Sequence, residues 1–274
     1  MKKSSIKYIL AFIAFLVVIA IGLFLLLKDN ASRDTANEQM ENLTEAVNDV
    51  DESDSDEEEI EEGPYSILGI EIPDKNLNWD DLHAENEDIY AWITVTDTTI
   101  DYPVLQHPSD NTYYLNHNLD GSSGYPGCIY TEDYNAKDFS DCNTVLYGHN
   151  LKDKTMFSSL HNYEDEETFE KDQYIYIWTE DSDVLVYKVF AAYEYNSNHL
   201  LLNYDYDNEY VYEQYLKELF NVGAKGYGVA NIKDDIEVTK EDKIITLSTC
   251  TSDHNSAQRF LVVGVLIDPT ANNN

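Results

Sequence analysis

The chain has 274 residues, enough for one substantial domain with accessory segments. Its hydrophobic fraction of 43% and its 22 tyrosines predict a well-packed core. The formal net charge of −36 at pH 7 excludes nucleic acid as an expected partner, because phosphates would be repelled and no basic stripe offsets the repulsion.

The first 28 residues predict a transmembrane anchor. The stretch Tyr8–Leu27 contains twenty residues and no charge, and lysines flank it on both sides. At 1.5 Å per residue, a helix of this length spans the hydrocarbon core of a membrane, which is about 30 Å thick. No convincing cleavage site of a secretory signal peptide follows it. Because lysines precede the helix and acidic residues follow it, we expect a cytoplasmic tail, a single-pass anchor within residues 1–28 and an extracellular remainder.

Residues 29–62 predict an acidic, disordered stalk. This segment contains fifteen acidic residues and a single basic residue, Arg33. Its few aromatic residues and its self-repelling charge favour a solvated chain, in which a short helix around Gln39–Val47 would be marginal alone. The run DESDSDEEE lacks the glycine and the regular ligand spacing of a calcium loop, so no metal site is predicted.

Residues 63–274 predict one folded extracellular domain, which is itself acidic, with 38 acidic and 12 basic residues. Apolar and aromatic residues at helical spacing predict a helix over Asn78–Ile93, and a second helix is predicted at Asn208–Phe220. Runs of β-branched and aromatic residues predict strands at Ile100–Gln106, Gly127–Thr131, Thr144–Tyr147, Tyr174–Thr179, Val184–Tyr193, Lys243–Cys250 and Phe260–Ile267. Many short strands with polar connections indicate a β-barrel or sandwich with peripheral helices.

The C-terminal strands place a cysteine and an arginine at one end of a hairpin. The segments Ile244–Cys250 and Arg259–Ile267 are joined by a polar loop. If the two strands are antiparallel neighbours, Cys250 and Arg259 lie opposite each other, with Cα atoms about 4.5–5.5 Å apart. Arg259 is the only arginine after Arg33, which indicates a need for its planar donor fork. Composition alone also allows a surface arginine paired with a carboxylate.

Histidine and cysteine supply the other candidate groups. His149 lies at the predicted end of a strand, whereas His254 is close to Cys250 in sequence and competes for the role of base. The three cysteines do not form a disulfide framework, since an odd number leaves at least one free thiol. Two partly buried thiols are favoured over a disulfide between Cys128 and Cys142. Taken alone, Cys250 also fits a small buried hydrophobic residue.

Several motifs resemble the sortase family. The segment TLSTC at residues 246–250 resembles the TLxTC signature of sortases, and an arginine opens the next strand as it does in that family. The segment YGHN at residues 147–150, with the MF pair and the leucine downstream of it, is similar to the histidine segment of class B sortases. Further similarity lies at Asn86–Ile93, Asp101–Val104 and Asn118–Tyr134. The resemblance covers most of residues 75–267.

The resemblance implies a fold and an activity. It implies a closed or nearly closed eight-stranded β-barrel with N-terminal helices and one helix between late strands. The implied activity is that of a cysteine transpeptidase without a cofactor, which cleaves a C-terminal sorting signal of exported proteins after its threonine. The acyl group then passes through a thioester to an amine. The implied partners are sorting-signal-bearing secreted proteins and an amine acceptor, either a peptidoglycan precursor or a pilin lysine.

The same resemblance implies roles for single residues. Cys250 is expected to be the nucleophile, His149 the group that exchanges protons with the two amines, and Arg259 the oxyanion stabiliser. Ser248 and Thr249 are expected to bind the sorting signal through their hydroxyl groups.

Two further expectations concern the surroundings of these groups. Asp253 could orient the catalytic histidine, although a loop aspartate at this place more often caps a turn. The acidic domain is expected to favour the imidazolium form of His149 and to disfavour the thiolate of Cys250, a penalty that Arg259 could offset.

Two other functions fit parts of the sequence. The first is a cysteine peptidase that hydrolyses its acyl-enzyme, although papain-like order fits poorly because His149 precedes Cys250 by 101 residues. The second is a non-catalytic adhesion module carried on an acidic stalk.

Overall fold

The computed structural model describes residues 3–49, 64–225, 228–253 and 257–269. Within these residues, nine strands form one sheet: β1 Ile89–Val95, β2 Asp101–Leu105, β3 Ile129–Tyr130, β4 Asn143–Tyr147, β5 Tyr174–Thr179, β6 Ser182–Asn196, β7 Ala230–Ile232, β8 Ile244–Cys250 and β9 Gln258–Leu266. The α-helices of the same residues are α1 Lys3–Asn48, α2 Trp79–Glu85, α3 Glu166–Phe169, α4 Leu200–Asn203 and α5 Glu209–Phe220. A 3₁₀ segment, Phe157–Glu164, precedes α3.

Eight of these strands close into a barrel. Their order is β5-β1-β2-β3-β4-β8-β9-β6, and β6 pairs back with β5. Closure is achieved because β6 is 15 residues long: its first half pairs with β5, and its second half pairs with β9 and with the short β7. The pairs β2–β3 and β4–β8 are parallel, and the other pairs are antiparallel. The predicted eight-stranded barrel is confirmed.

Two apolar cores lie on opposite faces of the β8–β9 hairpin. Side chains alternate between the faces of a strand, so Phe260 and Val262 enter the barrel interior while Leu261 and Val263 face the other side. Helix α5 covers that second side, with Tyr212, Tyr215, Leu216 and Leu219 buried against it. The predicted helix between late strands is confirmed, and its start is fixed by Asn208, whose side chain accepts from two backbone N–H groups.

The predicted helix over Asn78–Ile93 is wrong in its second half. Helix α2 ends at Glu85, and Asn86 adopts an extended backbone. The next residues form β1, which pairs with both β2 and β5 and is therefore a central strand. A strand buried on both faces has no alternation of apolar and polar residues, so its pattern is easily mistaken for the continuation of a helix.

The predicted disordered stalk is also wrong over residues 29–48. Helix α1 continues without interruption from the apolar run to Asn48. Ala36, Met40 and Val47 lie on one side of it at helical spacing and are 6%, 5% and 3% exposed. This apolar stripe packs on the barrel core, whereas the acidic residues that suggested disorder lie mostly on the solvent side. The remainder of the predicted stalk, residues 50–62, lies outside the described residues.

A half-buried ion pair, to which Asn48 at the end of α1 is hydrogen-bonded, joins that helix to the barrel. The ammonium of Lys75 is 2.6 Å from the Asp101 carboxylate, and the Lys75 side chain is only 4% exposed. Asp101 also accepts hydrogen bonds from Trp92 Nε1 at 2.6 Å and from Asn48 Nδ2 at 2.8 Å. Because the carboxylate has several donors, the cost of burying this pair is largely offset, and α1 is held against β2.

Candidate active site

Cys250 and Arg259 are opposed at the open end of the β8–β9 hairpin. The strand register pairs Cys250 with Arg259 directly, as the sequence predicted. Both residues are partly exposed. The thiol and the guanidinium are therefore carried by neighbouring backbone positions at one rim of the barrel.

The parallel pairing of β4 with β8 brings His149 to the same rim. Tyr147 is in register with Ser248, and the N–H of Gly148 donates to Ser248 O at 3.1 Å. Parallel strands run in the same direction, so the residue after Gly148 lies at the end of β8 that carries Cys250. Gly148 is required by close packing, because a Cβ there would lie 2.7 Å from Phe157 Cδ2 and 2.5 Å from Ile129 Cδ1.

One cavity of about 230 Å³ joins all the predicted site residues except Asp253. Its lining includes Cys250, His149, Arg259, Ser248 and Thr249. A larger cavity of about 980 Å³ lies between α1 and the barrel, and none of these residues borders it. We place the candidate active site in the smaller cavity, because that cavity is bordered by a thiol, an imidazole and a guanidinium, whereas volume alone does not identify a site.

The ring of His149 is oriented by a backbone carbonyl. Its Nε2 lies 2.7 Å from the carbonyl oxygen of Leu115 and therefore carries a proton that it donates. Burial lowers the pKa of His149 below the ordinary 6.5, and the Leu115 carbonyl offsets part of this shift. The sequence left open which protonation state dominates, and burial, rather than the acidic charge of the domain, gives the direction of this pKa shift.

The loop after Cys250 contains Asp253 and His254, the two remaining residues that the sequence offered for a role beside the thiol. Asp253 Oδ1 accepts a hydrogen bond from Thr251 Oγ1 at 2.6 Å, a local contact within the turn. The orienting contact to His149 comes from Leu115, which sequence reasoning missed because a backbone carbonyl leaves no signal in the sequence. His254, the competing base, lies outside the described residues.

A second group of polar side chains in the cavity was also missed. Glu132 is only 6% exposed, and its carboxylate lies 2.7 Å from His199 Nε2. Within the described part of the chain, His199 Nδ1 is buried without a hydrogen-bond partner. Such a group is costly to bury unless something pairs with it, so this wall of the cavity is suited to a polar ligand. Thr249 borders the cavity, but it lies opposite Phe260 in the strand register, so its hydroxyl is on the face of the barrel interior.

All three cysteines are free thiols, so Cys128 and Cys142 do not pair. Burial raises the pKa of the Cys128 thiol, and it also raises the pKa of Cys142, where nearby carboxylates add to the effect. Both shifts disfavour the reactive thiolate. Cys250 is the cysteine that borders the cavity.

Comparisons with known proteins agree with this geometry. The family model of the sortase domain matches residues 93–267. Sortase B of Listeria monocytogenes is 34% identical over 190 residues, which cover 68% of this chain and 73% of that protein. Sortase B of Staphylococcus aureus is 32% identical over 187 residues, covering 68% and 72%. The X-ray structure of Clostridium perfringens sortase B has a TM-score of 0.60 and 31% identity, covering 70% of this chain and 100% of that one.

The match extends over the barrel, both parallel strand pairs and the rim that carries the cysteine, the histidine and the arginine. Sortases are cysteine transpeptidases that anchor proteins to the cell wall. This chain belongs to the sortase family and is a class B-like cysteine transpeptidase.

Proposed function

We propose that this enzyme cleaves a C-terminal sorting signal of exported proteins after its threonine. The acyl group passes through a Cys250 thioester to an amine, either of a peptidoglycan precursor or of a pilin lysine. The observation that carries the proposal is the single cavity bordered by Cys250, His149 and Arg259. The fold family supports the reaction type, and the shared cavity supports the choice of these three residues.

The proposed roles follow from the chemistry of acyl transfer. The Cys250 thiolate attacks the scissile carbonyl carbon, and Arg259 with nearby backbone N–H groups stabilises the resulting oxyanion. His149, as imidazolium, gives its proton to the leaving amine as the C–N bond breaks, which leaves the thioester. The acceptor amine then attacks the thioester and loses a proton to His149, and the Cys250 thiolate departs as the new amide forms.

The polar wall of the cavity is the proposed binding surface for the signal. Glu132 and His199 border the cavity and offer polar atoms to peptide or side-chain amides. Ser248 borders the same cavity and is 5% exposed. An extended peptide fits this surface, because its amides can pair with the polar groups while its side chains contact the apolar lining.

We further propose that the enzyme is a single-pass membrane protein with its catalytic domain, residues 63–274, outside the cell. Within the described residues, α1 is the one helix long and apolar enough to cross a membrane: an 18-residue window of it has a mean hydropathy of 2.5 and is 0% buried. The full chain is therefore expected to remain in the membrane fraction, with its barrel accessible to external protease. Recovery of a soluble product cleaved just after Leu27 would contradict a permanent anchor.

The nature of the second step separates a transpeptidase from a hydrolase. Water is present at about 55 M, so an amine competes only if the enzyme holds it in place at a high effective molarity. Without an amine, we expect a Cys250 acyl adduct that accumulates and hydrolyses slowly. Addition of oligoglycine, a diaminopimelate-type amine or a lysine-type amine is expected to speed release and to divert the product to an amide.

Intact-mass measurement of the protein and chromatography of the peptide products test this expectation on the full chain in detergent. The Cys250→Ala variant is the control for adduct formation, since it should form no adduct under any condition. If no amine changes either the rate or the product, a cysteine peptidase replaces the transpeptidase. If the unmodified enzyme forms no adduct with any sorting-signal peptide, a non-catalytic adhesion module becomes the better description.

A further inference from the structure

A second histidine, His161, binds the backbone of Cys250. His161 lies in the 3₁₀ segment before α3, and its Nε2 is 2.9 Å from the carbonyl oxygen of Cys250. The side-chain amide of Asn150 donates to the same oxygen at 3.3 Å and to the carbonyl of Thr251 at 3.2 Å. Two side chains from outside the hairpin therefore hold the backbone of the proposed nucleophile.

The end of β4 explains why side chains are needed at this place. The carbonyl of Ser248 points towards β4 and is bound there by the N–H of Gly148. Carbonyl groups two residues apart in a strand point to the same side, so the Cys250 carbonyl points to where β4 has already ended. His161 and Asn150 supply the donors that a neighbouring strand would otherwise provide.

His161 is itself held on several sides. Its Nδ1 lies 2.6 Å from Glu164 Oε1, and the hydroxyl of Ser252 donates to the same carboxylate oxygen at 2.5 Å. The ring stacks on Phe260, with centroids 4.8 Å apart and planes 28° apart. The side chain is only 13% exposed. In the imidazolium form, which the Glu164 carboxylate favours, Nδ1–H donates to Glu164 and Nε2–H donates to the Cys250 carbonyl. Asn150 Nδ2, which lies 3.0 Å from Nε2, then donates to the backbone carbonyls instead.

The approach of His161 is from the face opposite to the substrate cavity. Phe260, on which the ring stacks, points into the barrel interior, whereas its neighbours Arg259 and Leu261 border the cavity. His161 is not among the residues that line the cavity. Any influence of His161 on the reaction therefore acts through the backbone of Cys250.

We propose that His161, oriented by Glu164, is a positioning residue for acyl transfer at Cys250, an inference that rests on the proposed function. Anchoring this carbonyl fixes the peptide plane between Cys250 and Thr251, and with it the Cα from which the thiol projects. Misplacement of a reacting atom by about 1 Å can lower a rate by about a hundredfold. Such misplacement would arise at the end of β8, where β4 no longer provides hydrogen bonds to the backbone.

The test compares two substitutions of His161 in the full-length enzyme. His161→Phe keeps the stacking on Phe260 but removes the donor, whereas His161→Gln retains an amide donor. For acylation by a sorting-signal peptide, we expect His161→Phe to lower kcat about tenfold or more with KM changed less than about twofold. We expect His161→Gln to recover kcat to within about threefold of the unmodified enzyme.

The chain offers a matched control. His83 in α2 also contacts a backbone carbonyl, that of Ile89 at 3.1 Å, and is part-buried. His83→Phe thus removes a comparable bond away from the Cys250 cavity, and kcat is expected to stay within about twofold of the unmodified value.

The outcomes separate this inference from the proposed function. If the unmodified enzyme forms no thioester, both fail. If it does, a kcat for His161→Phe within about twofold of the unmodified value overturns the inference alone. Equal losses of kcat in His161→Phe and His161→Gln, or an equal loss in His83→Phe, overturn it as well, because packing rather than hydrogen-bond donation would then explain the losses.

Glu164→Gln is the second variant, to be used if His161→Phe does not fold, because it keeps the ring of His161 and its stacking on Phe260. A kcat about threefold lower in this variant supports the proposal, and an unchanged kcat overturns it.

Discussion

Substitution of His149 by alanine is expected to lower the turnover of a sorting-signal peptide by at least about a hundredfold, the usual scale for a general acid–base group. The reason is that both halves of the reaction need a proton carrier beside the thiol, first for the leaving amine and then for the incoming one. The register of β4 and β8 brings His149 to the rim where Cys250 lies. The measurement is kcat for amide formation with a saturating amine.

Two other histidines provide the controls. His199 borders the same cavity, but its Nε2 is bound to Glu132, so His199→Ala is expected to raise KM more than it lowers kcat. His254 is close to Cys250 in sequence, and His254→Ala is expected to retain most activity. If His254→Ala abolishes turnover and His149→Ala does not, the assignment of the proton carrier is wrong.

The pH profile gives an independent check on His149. Because burial lowers its pKa below 6.5, the ring loses its proton at a lower pH than an ordinary histidine does, and the imidazolium is the minor form at pH 7. The pH profile of kcat/KM reports on groups of the free enzyme. Because the imidazolium protonates the leaving amine, the contribution of His149 to kcat/KM is expected to fall as the pH rises through a pKa below 6.5. This pH-dependent change should be missing from the residual activity of His149→Ala. If it persists in that variant, it belongs to another titrating group.

The parts of the fold that the sequence predicted well are those with local signals. The hairpin of β8 and β9 has long β-branched runs on both sides of a polar loop, and its register follows from the loop length and the apolar pattern. These local features are sufficient to predict that Cys250 and Arg259 lie opposite each other.

The errors arise where tertiary packing overrides a local signal. β1 is buried on both faces, so it has lost the alternation that identifies a strand. Residues 29–48 carry five acidic side chains, yet Ala36, Met40 and Val47 are buried on one side of the helix. The contacts of Leu115 with His149 and of His161 with Cys250 join backbone and side-chain groups far apart in sequence. No local pattern encodes such contacts.

Substitution of Arg259 by lysine is expected to lower kcat by about 10²–10³, the range for losing one oxyanion donor. Arg259 lies directly opposite Cys250, and its Nη1 donates to the carbonyl of Gln258 at 2.8 Å. This bond fixes the plane of the guanidinium, so the remaining N–H groups keep a fixed direction. A lysine ammonium retains the charge but has no plane to fix and no paired donors.

The other arginine of the chain is the matched control for this substitution. Arg33 lies on α1, where it contacts Asp153 at the surface, and Arg33→Lys is expected to leave kcat for a soluble peptide unchanged. A second variant, Arg259→Gln, separates the fork from the charge, because glutamine donates from an amide without a charge. If hydrogen-bond donors with a fixed direction matter most, the glutamine variant should lose no more activity than the lysine variant. If charge matters most, the lysine variant should be nearly normal and the glutamine variant severely impaired. Near-normal activity of Arg259→Lys would mean that a simple cation opposite Cys250 is sufficient, and the single arginine of the barrel would then need another explanation.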